Sequence, residues 1–482
     1  MIKNLTKFLL TLLVISILII FYLSIFGFKT TKFNNKIIQE IQNINKKVNL
    51  DLKSIKFLLN PMNFTINVKT YGTEILIDKK NLNLEFIKTN IPLKSIINKE
   101  FSINDLQLST KSIKINDAIL LAKSFKNSTQ LFILDKIVKG GFIKADINLN
   151  FDSDGKIKDN YEIKGFIKKG KLSFFRDYNI DNLDLLFKIK NKEYILEDIS
   201  SKFNQIKISS PLIKIKKKKH LFFVEGKMIN NKKDINNKLL DKLLNNTPKN
   251  LGIDNISFGS ENNFSFNISK KFKINDFNLK SKINLENLNY KKYNLQISKY
   301  LPNIKDSIIL KDHIILINYY KDKLEIKGDG QIKIAKKLDQ MNYKITKINN
   351  KYDFNGNIDV NKNKLLIDTL QYEKKNDKKS LLELQGSYIK DKIIKIDSVS
   401  LKEKNNIFLI KDLKLDSNFK IIDVRLVKLD YVNNNKFQNQ INLIKKKEKY
   451  EIYGKNFDAS KLISEILHDD NKDGLSFFKD LN

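Results

Sequence analysis

The sequence contains no cysteine. Disulfides, thiolate metal sites and cysteine nucleophiles are therefore excluded. Five prolines and 16 glycines in 482 residues are too few for a collagen-like or proline-rich linker architecture. Only three histidines occur, His220, His313 and His468. None stands at ligand spacing from another, and each reads as a surface group. G-x-S-x-G, Walker A, H-E-x-x-H and Rossmann glycine patterns are all missing. With no nucleophile–base signature, the chain is expected not to be an enzyme, to have no catalytic residue and to need no cofactor. One string looks metal-like: Asp469, Asn471, Asp473 and Gly474, with Asp480 at the twelfth position. A calcium loop would close on Glu and run into an exit helix. Neither is provided here, so the string reads as a polar turn and no metal is expected.

Apolar residues make up 41% of the chain and charged residues 30%, a balance that folds rather than stays disordered. The length suits several ordinary domains or one elongated domain with its core spread along it. Lys and Arg number 89 against 54 Asp and Glu, a net charge of +35. This excess is diffuse, and lysine dominates it, as in an AT-rich coding sequence. Neither zinc-finger spacing nor an RNA-binding aromatic motif is present, so nucleic acid is not an expected partner. Two basic strings, at 216–219 and 445–447, suit anionic headgroups or a wet strand edge guarded by lysine.

Residues 8–28 read FLLTLLVISILIIFYLSIFGF and carry no charge. At 1.5 Å per residue this run spans about 30 Å of hydrocarbon. Among its polar groups are the hydroxyls of Thr11, Ser16 and Ser24, which can bond back to a helix. The run is long for a signal peptide and lacks a small-residue cleavage site, so it is expected as an uncleaved signal anchor. Lys3 and Lys7 precede it, and Lys29 and Lys32 follow it, which leaves the positive-inside rule nearly silent. A flank as short as residues 1–7 is expected to stay cytoplasmic, with the body on the far side.

Beyond the anchor the hydropathy period changes. Residues 33–48 place Ile37, Ile38, Ile41 and Ile44 at helical spacing. From there, stretches such as TINV (65–68), EILI (74–77), NLNLEF (81–86), ADINLNF (145–151) and FSFNI (264–268) alternate polar and apolar residues. Period two means strands with one face buried and one wet. Asp152-Ser153-Asp154-Gly155, Asp329-Gly330 and Asn355-Gly356 are hairpin signals. At about 10 to 14 residues per strand and turn, on the order of 30 strands are expected. Helical spacing interrupts at 118–137, 234–245, 335–341 and 460–467. So long a one-sided sheet must curl, pair with a second sheet or leave an apolar groove. The fold expected is mainly β: an N-terminal transmembrane helix, then an elongated, curled antiparallel sheet with a few short helices. Its apolar alternates, for example Ile113, Ile115, Ile147, Leu149, Phe264 and Phe266, would line the groove.

Three passages are similar to a known family. FSINDLQLSTKSIKI (101–115) is followed by a helix. Within 140–174, Phe151, Asp152, Gly155, Tyr161 and Gly165 fit an FD-x-x-G, y-x-i-x-G passage. YEIYGKNFDASKLI (450–463) fits a recurring G-x-x-F/L-D-x-x-x-L element. Together with the order of parts, these resemble the AsmA-like superfamily and its YhdP-like branch. The resemblance implies a β-taco, or repeating β-groove, at the inner membrane. It would carry phospholipid acyl chains between the two membranes or serve outer-membrane homeostasis, with the bulk of the chain periplasmic. The alternative is a periplasmic scaffold or assembly factor for outer-membrane proteins. The expected organisation is a flank (1–7), the anchor (8–28), an N-terminal β/helix module (29–138), groove modules at 139–250 and 251–456, and a C-terminal helix and tail (457–482). Longer members continue beyond the last element, so this chain is expected to be a short relative or a truncated one.

Overall fold

A computed structural model describes residues 2–35, 48–77, 80–97, 105–125, 128–152, 158–174, 178–218, 221–236, 253–269, 273–291, 308–334, 337–389, 393–416, 421–447 and 449–461, with residues 38, 39, 42, 239, 240, 463 and 464 between and after them. The chain is mainly β, as its period-two patterning predicts, with an N-terminal apolar helix and few others. Twenty-seven of the 29 described strands belong to one long antiparallel sheet, which is not closed as a barrel. The residues divide into two compact units, Met1–Lys227 with Ile268–Lys273 and Met228–Asn267 with Ile274–Asn482.

The helix α1 (Ile2–Ile25) starts earlier and ends earlier than the apolar run 8–28. Lys3–Ile25 is long and apolar enough to cross a membrane, and its side chains are exposed. Thr11, Ser16 and Ser24 donate to the carbonyls of Lys7, Leu12 and Ile20, so these three hydroxyls are satisfied within the helix. The early stop is made by Gly27. At φ +60° its N–H donates to Tyr22 O, and a Cβ there would lie 2.1 Å from Phe57 O. Phe28 therefore begins strand β1 (Phe28–Thr30), its ring stacked on Phe57 at 5.0 Å. One left-handed glycine thus couples the apolar helix directly to the sheet. Gly27→Val is expected to cost the junction roughly 1–3 kcal/mol. Amide hydrogen exchange should then speed up in β1 and in residues 54–60 but not in α1; unchanged exchange would refute the coupling.

In the first unit β2 (Val48–Asp51), β3 (Ser54–Asn60), β4 (Thr65–Tyr71), β5 (Glu74–Ile77) and β6 (Lys80–Pro92) precede a short helix, α2 (Leu93–Ile97). Next come β7 (Asp105–Thr110), β8 (Ile113–Lys114), α3 (Ile115–Phe125) and α4 (Thr129–Ile137). The helical spacing at 118–137 thus becomes two helices, the second capped by Ser128, whose Oγ accepts from Leu131 N. The strands β9 (Val138–Asn150), β10 (Glu162–Phe174), β11 (Tyr178–Lys190), β12 (Glu193–Phe203) and β13 (Ile206–Lys217) follow. Antiparallel neighbours run β1, β3, β4, β6, β7, β9, β10, β11, β12, β13. The closed core gathers Leu50, Ile55, Val68, Leu82 and Leu84, with α3 laid against it through Ala118, Leu120 and Leu121. Lys169, Asn182 and Asp198 take positive φ on three successive strands. The β10–β11 register shifts beside Lys169, and the β11–β12 register shifts beside Asn182. Such bulges bend a strand and add twist.

The second unit takes β14 (Leu221–Asn236) from Met228 onward, then β15 (Ile253–Ser269) as far as Asn267, β16 (Ile274–Tyr290), β17 (Ile308–Tyr320), β18 (Lys323–Lys333), β19 (Leu338–Ile348) and β20 (Lys351–Asp359). A small excursion, β21 (Leu365–Ile367) and β22 (Tyr372–Lys374), separates β20 from its partner β23 (Leu381–Ile389). The strands β24 (Ile394–Glu403), β25 (Asn406–Leu415), β26 (Ile421–Asp423), β27 (Leu426–Val432), β28 (Gln438–Lys446) and β29 (Lys449–Asn456) complete it. From β16 to β29 the strands pair antiparallel with their successors, β20 reaching β23 and β25 reaching β27.

Several local expectations are corrected here. Asp329-Gly330 and Asn355-Gly356 lie inside β18 and β20, not in turns. Residues 338–341 begin β19, and 234–236 end β14, where helices are expected. Long-range pairing outweighs a few residues of helical spacing at these sites. The remainder of the expected helices at 33–48, 234–245 and 460–467 lies mostly outside the described residues, as do the Ser153–Gly155 turn, His220, His468 and the acidic string 469–480.

Candidate functional site

Residues directly opposite in an antiparallel ladder project from the same face. In the first unit Ile87 faces Leu108, Leu108 faces Ile147, and Ile147 faces Ile163. The file continues through Ile189 and Tyr194 to Ile215. Two residues along, Ala145, Gly165, Phe187, Leu196 and Ile213 make a second file on that face. Every member of the first file is half-buried. It is neither sealed in a core nor presented to water as an ordinary polar surface.

The second unit repeats this. Ile317, Ile326, Ile345 and Phe354 stand opposite one another in turn. Beside them a longer file runs from Ile315 through Gly328, Tyr343 and Gly356 to Leu384, then through Val399, Ile410, Val427 and Leu443 to Ile452. Leu384 is 38% exposed and Ile452 62%. Aromatic rings extend the face: Phe264 stacks on Phe266 at 5.9 Å, Phe266 meets Phe277 at 6.2 Å, and Phe277 meets Tyr319 at 5.9 Å.

One border of each face is roofed. In the first unit α3 seals Ile115 and Ile119, with Val138 of β9, against Ile143, Ile167 and Leu172. In the second unit the excursion at 361–380 does so. Tyr372 is 1% exposed and packs on Phe408 at 4.5 Å and Tyr431 at 5.8 Å, over Leu382, Leu401 and Leu429. Its hydroxyl donates to Glu403 at 2.5 Å, and Tyr431 donates to Leu370 O at 3.0 Å. Gln371, left-handed at φ 50°, is stitched to the C-terminal segment. Its amide donates to Asp458 and Ser460, and its backbone carbonyl accepts from Asn434. Asp458, within the FDAS string, also accepts from Asn433 and from Ser460, whose hydroxyl and N–H hold its carboxyl below the usual range. Lys374 is fully buried, and its ammonium donates to the carbonyls of Asn361 and Lys375.

Burial shifts the ionisation of this roof. It pushes the Tyr431 phenol up to about 12, aided by Asp458. It pushes Tyr372 higher still, aided by the hydrogen bond to Glu403. It lowers Lys374, against the pull of Asp339, Glu403 and Asp377. A raised folded pKa contributes stability that is complete below the unfolded value of about 10 and is lost above it. The lowered lysine acts oppositely, its cost easing as pH rises toward about 10.5. The unfolding free energy of the full chain, read from urea titrations, is expected to fall from pH 10 to 12 by about 1.4 kcal/mol per pH unit for each tyrosine. Tyr431→Phe should flatten that fall; an equally steep fall in the variant would contradict the assignment.

The residues expected to line a groove separate into two groups. Ile147 and Leu149 are half-buried on β9, opposite Leu108 and Leu106. Phe264 and Phe266 are half-buried within the aromatic series. Ile113 and Ile115, by contrast, are buried in closed cores beneath the helices, because the strand they continue ends at Lys114 and α3 folds back over it. His313, which reads as a surface group, is 1% exposed, the ring fitting over Gly330. Alternation alone could not find the roof, because Tyr372 meets its two aromatic partners, Phe408 and Tyr431, on strands 36 and 59 residues away in sequence. Comparison with known proteins finds no matching family, no matching curated protein and no matching solved structure.

Proposed function

We propose that this chain is an inner-membrane-anchored periplasmic protein of the AsmA-like superfamily, in its YhdP-like branch, that carries phospholipid acyl chains along its apolar face in outer-membrane biogenesis or homeostasis. The observation that supports this reading is the run of half-buried apolar side chains standing opposite one another on successive strands of each unit. An acyl chain laid along such a file is transferred from water at about 0.8 kcal/mol per CH₂. The apolar helix α1 would hold the protein in the bilayer that supplies the lipid. No bond is made or broken, so no residue acts as a catalyst.

The test places a photocrosslinking amino acid at Ile189 or Ile345 of the full chain in its own membrane. Phospholipid adducts are expected at both. Adducts with outer-membrane proteins and none with lipid would support the scaffold reading and overturn this one.

A further inference from the structure

The turn between β3 and β4, Pro61-Met62-Asn63-Phe64, leaves Met62 90% and Phe64 72% exposed. Its backbone is fixed all the same. Phe64 N–H donates to Pro61 O, Asn63 N–H donates to Asn60 Oδ1, and Phe64 O accepts from Leu93 N at 2.8 Å. Phe64 takes φ 51°, a left-handed conformation uncommon for a bulky side chain. At these exposures, packing within the unit accounts for neither apolar side chain.

The turn lies beside the end of α1. Strand β3 runs antiparallel to β1, with Phe57 opposite Phe28. Residues after Phe57 therefore return past Gly27, which Leu58 approaches closely, toward the last turn of α1. There β3 meets the helix. Residues 3–22 are exposed, whereas Leu23 and Ser24 are half-buried.

A second feature is independent of the turn. On the wet face of the sheet, Lys29, Lys56, Lys69 and Lys88 stand directly opposite one another across β1, β3, β4 and β6. Like charges in such register repel. Among the described residues, no carboxylate lies within ion-pair distance of any of the four. The Tyr71 ring, 5.5 Å from Lys29 and 5.4 Å from Lys69, is a weak partner for two cations. Between this file and the turn, a polar cavity of about 440 Å³ is lined by Lys88, Asn60, Thr65, Asn67 and Asn90, whose amide donates to the cavity's carboxylate, Asp105.

We infer that this border of the first unit is a second membrane contact: Met62 and Phe64 insert into the leaflet where α1 ends, and the lysine file rests on anionic headgroups of that leaflet. This rests on α1 lying in a bilayer, not on acyl carriage. Four residues of β3 separate Lys56 from Asn60, about 13 Å of strand. A tip seated ~5–10 Å into the headgroup–acyl boundary leaves the file among the headgroups. Lysine stems reach phosphate from there.

The chain has no cysteine, so one introduced thiol carries a unique label. The full chain, bearing an environment-sensitive fluorophore at Asn63→Cys, is reconstituted into vesicles of phosphatidylcholine and phosphatidylglycerol that contain lipid spin-labelled on its acyl chain. Labels at Leu18→Cys in α1 and at Ser112→Cys, exposed at the opposite border of the sheet, serve as references. Quenching at Asn63 is expected to exceed that at Ser112 about threefold or more, as for a group inside the headgroup–acyl boundary. Met62→Ser with Phe64→Asn should bring it down to the Ser112 value. Asparagine accepts the left-handed backbone of residue 64, so the fold is spared. Lys56→Gln with Lys88→Gln should lower the docked-to-free ratio about fivefold per lysine in these vesicles, and leave it unchanged in phosphatidylcholine alone. Quenching at Asn63 no stronger than at Ser112, with Leu18 quenched, would overturn the contact and leave α1 in the bilayer. Leu18 unquenched as well would remove both. An Asn63 label shielded from water yet unquenched would place a second copy of this chain over the turn, and the lipid assignment falls. Lysine variants that dock as before would overturn the headgroup assignment.

Discussion

Leu384→Asp is expected to reduce acyl-chain adducts at a photocrosslinker on Ile345 by about tenfold or more. Leu384 lies in the long file of the second unit, opposite Gly356 on one side and Val399 on the other. It is 38% exposed, so an aspartate there keeps contact with water and the sheet remains folded. An acyl chain lying over it would strip that water away. Desolvating a carboxylate against hydrocarbon costs more than the 1.4 kcal/mol that a tenfold loss requires. Leu384→Met changes shape without charge and should leave the adducts near their original yield. Undiminished adducts in the aspartate variant, with circular dichroism unchanged, would show that lipid does not travel along this file.

Tyr372→Ala is expected to open the roof over the second unit, at a cost of about 3–5 kcal/mol from the buried ring. The ring holds together Phe408, Tyr431 and the leucines beneath, and its hydroxyl serves Glu403. Tyr372→Phe keeps the packing and removes only that bond. Because Asn406 also donates to Glu403, this variant should lose about 1–2 kcal/mol. Hydrogen exchange read peptide by peptide separates the roof from the rest of the sheet. Residues 365–374 and the Asp458 segment should exchange faster in the alanine variant, while β17 to β19 should not. Protection of 365–374 equal to that of the unmodified chain would mean that the roof is held from elsewhere.

The roof and the open files make a pair with a physical logic. A sheet that presented its whole apolar face would be prone to association. A sheet covered throughout could not take up a chain of CH₂ groups. Here each unit closes one border, with helix α3 in the first and a strand excursion in the second, and leaves neighbouring apolar residues half-buried. The same division explains why Ile113 and Ile115 sit in cores while Ile147 and Leu149 do not.

The N-terminal apolar helix and the strands were legible from residue patterning alone. A run of uncharged apolar residues can satisfy its backbone in hydrocarbon only as a helix. Alternation over stretch after stretch leaves a one-sided strand as the only conformation that buries the apolar set. Even so, the helix end was decided by the carbonyl of Phe57, which meets Gly27 only in the folded unit. The hairpins were also decided there. Asn191-Lys192, Asn204-Gln205 and Lys321-Asp322 take positive φ at both positions, as two-residue hairpin turns require, whereas Asp329-Gly330 and Asn355-Gly356 are drawn into strands by pairing on both sides. Which apolar alternates are sealed and which remain half-open depends on what folds over them. So does the burial of His313. That covering is set by where α3 and the excursion at 361–380 fold back, which their own periodicity does not record.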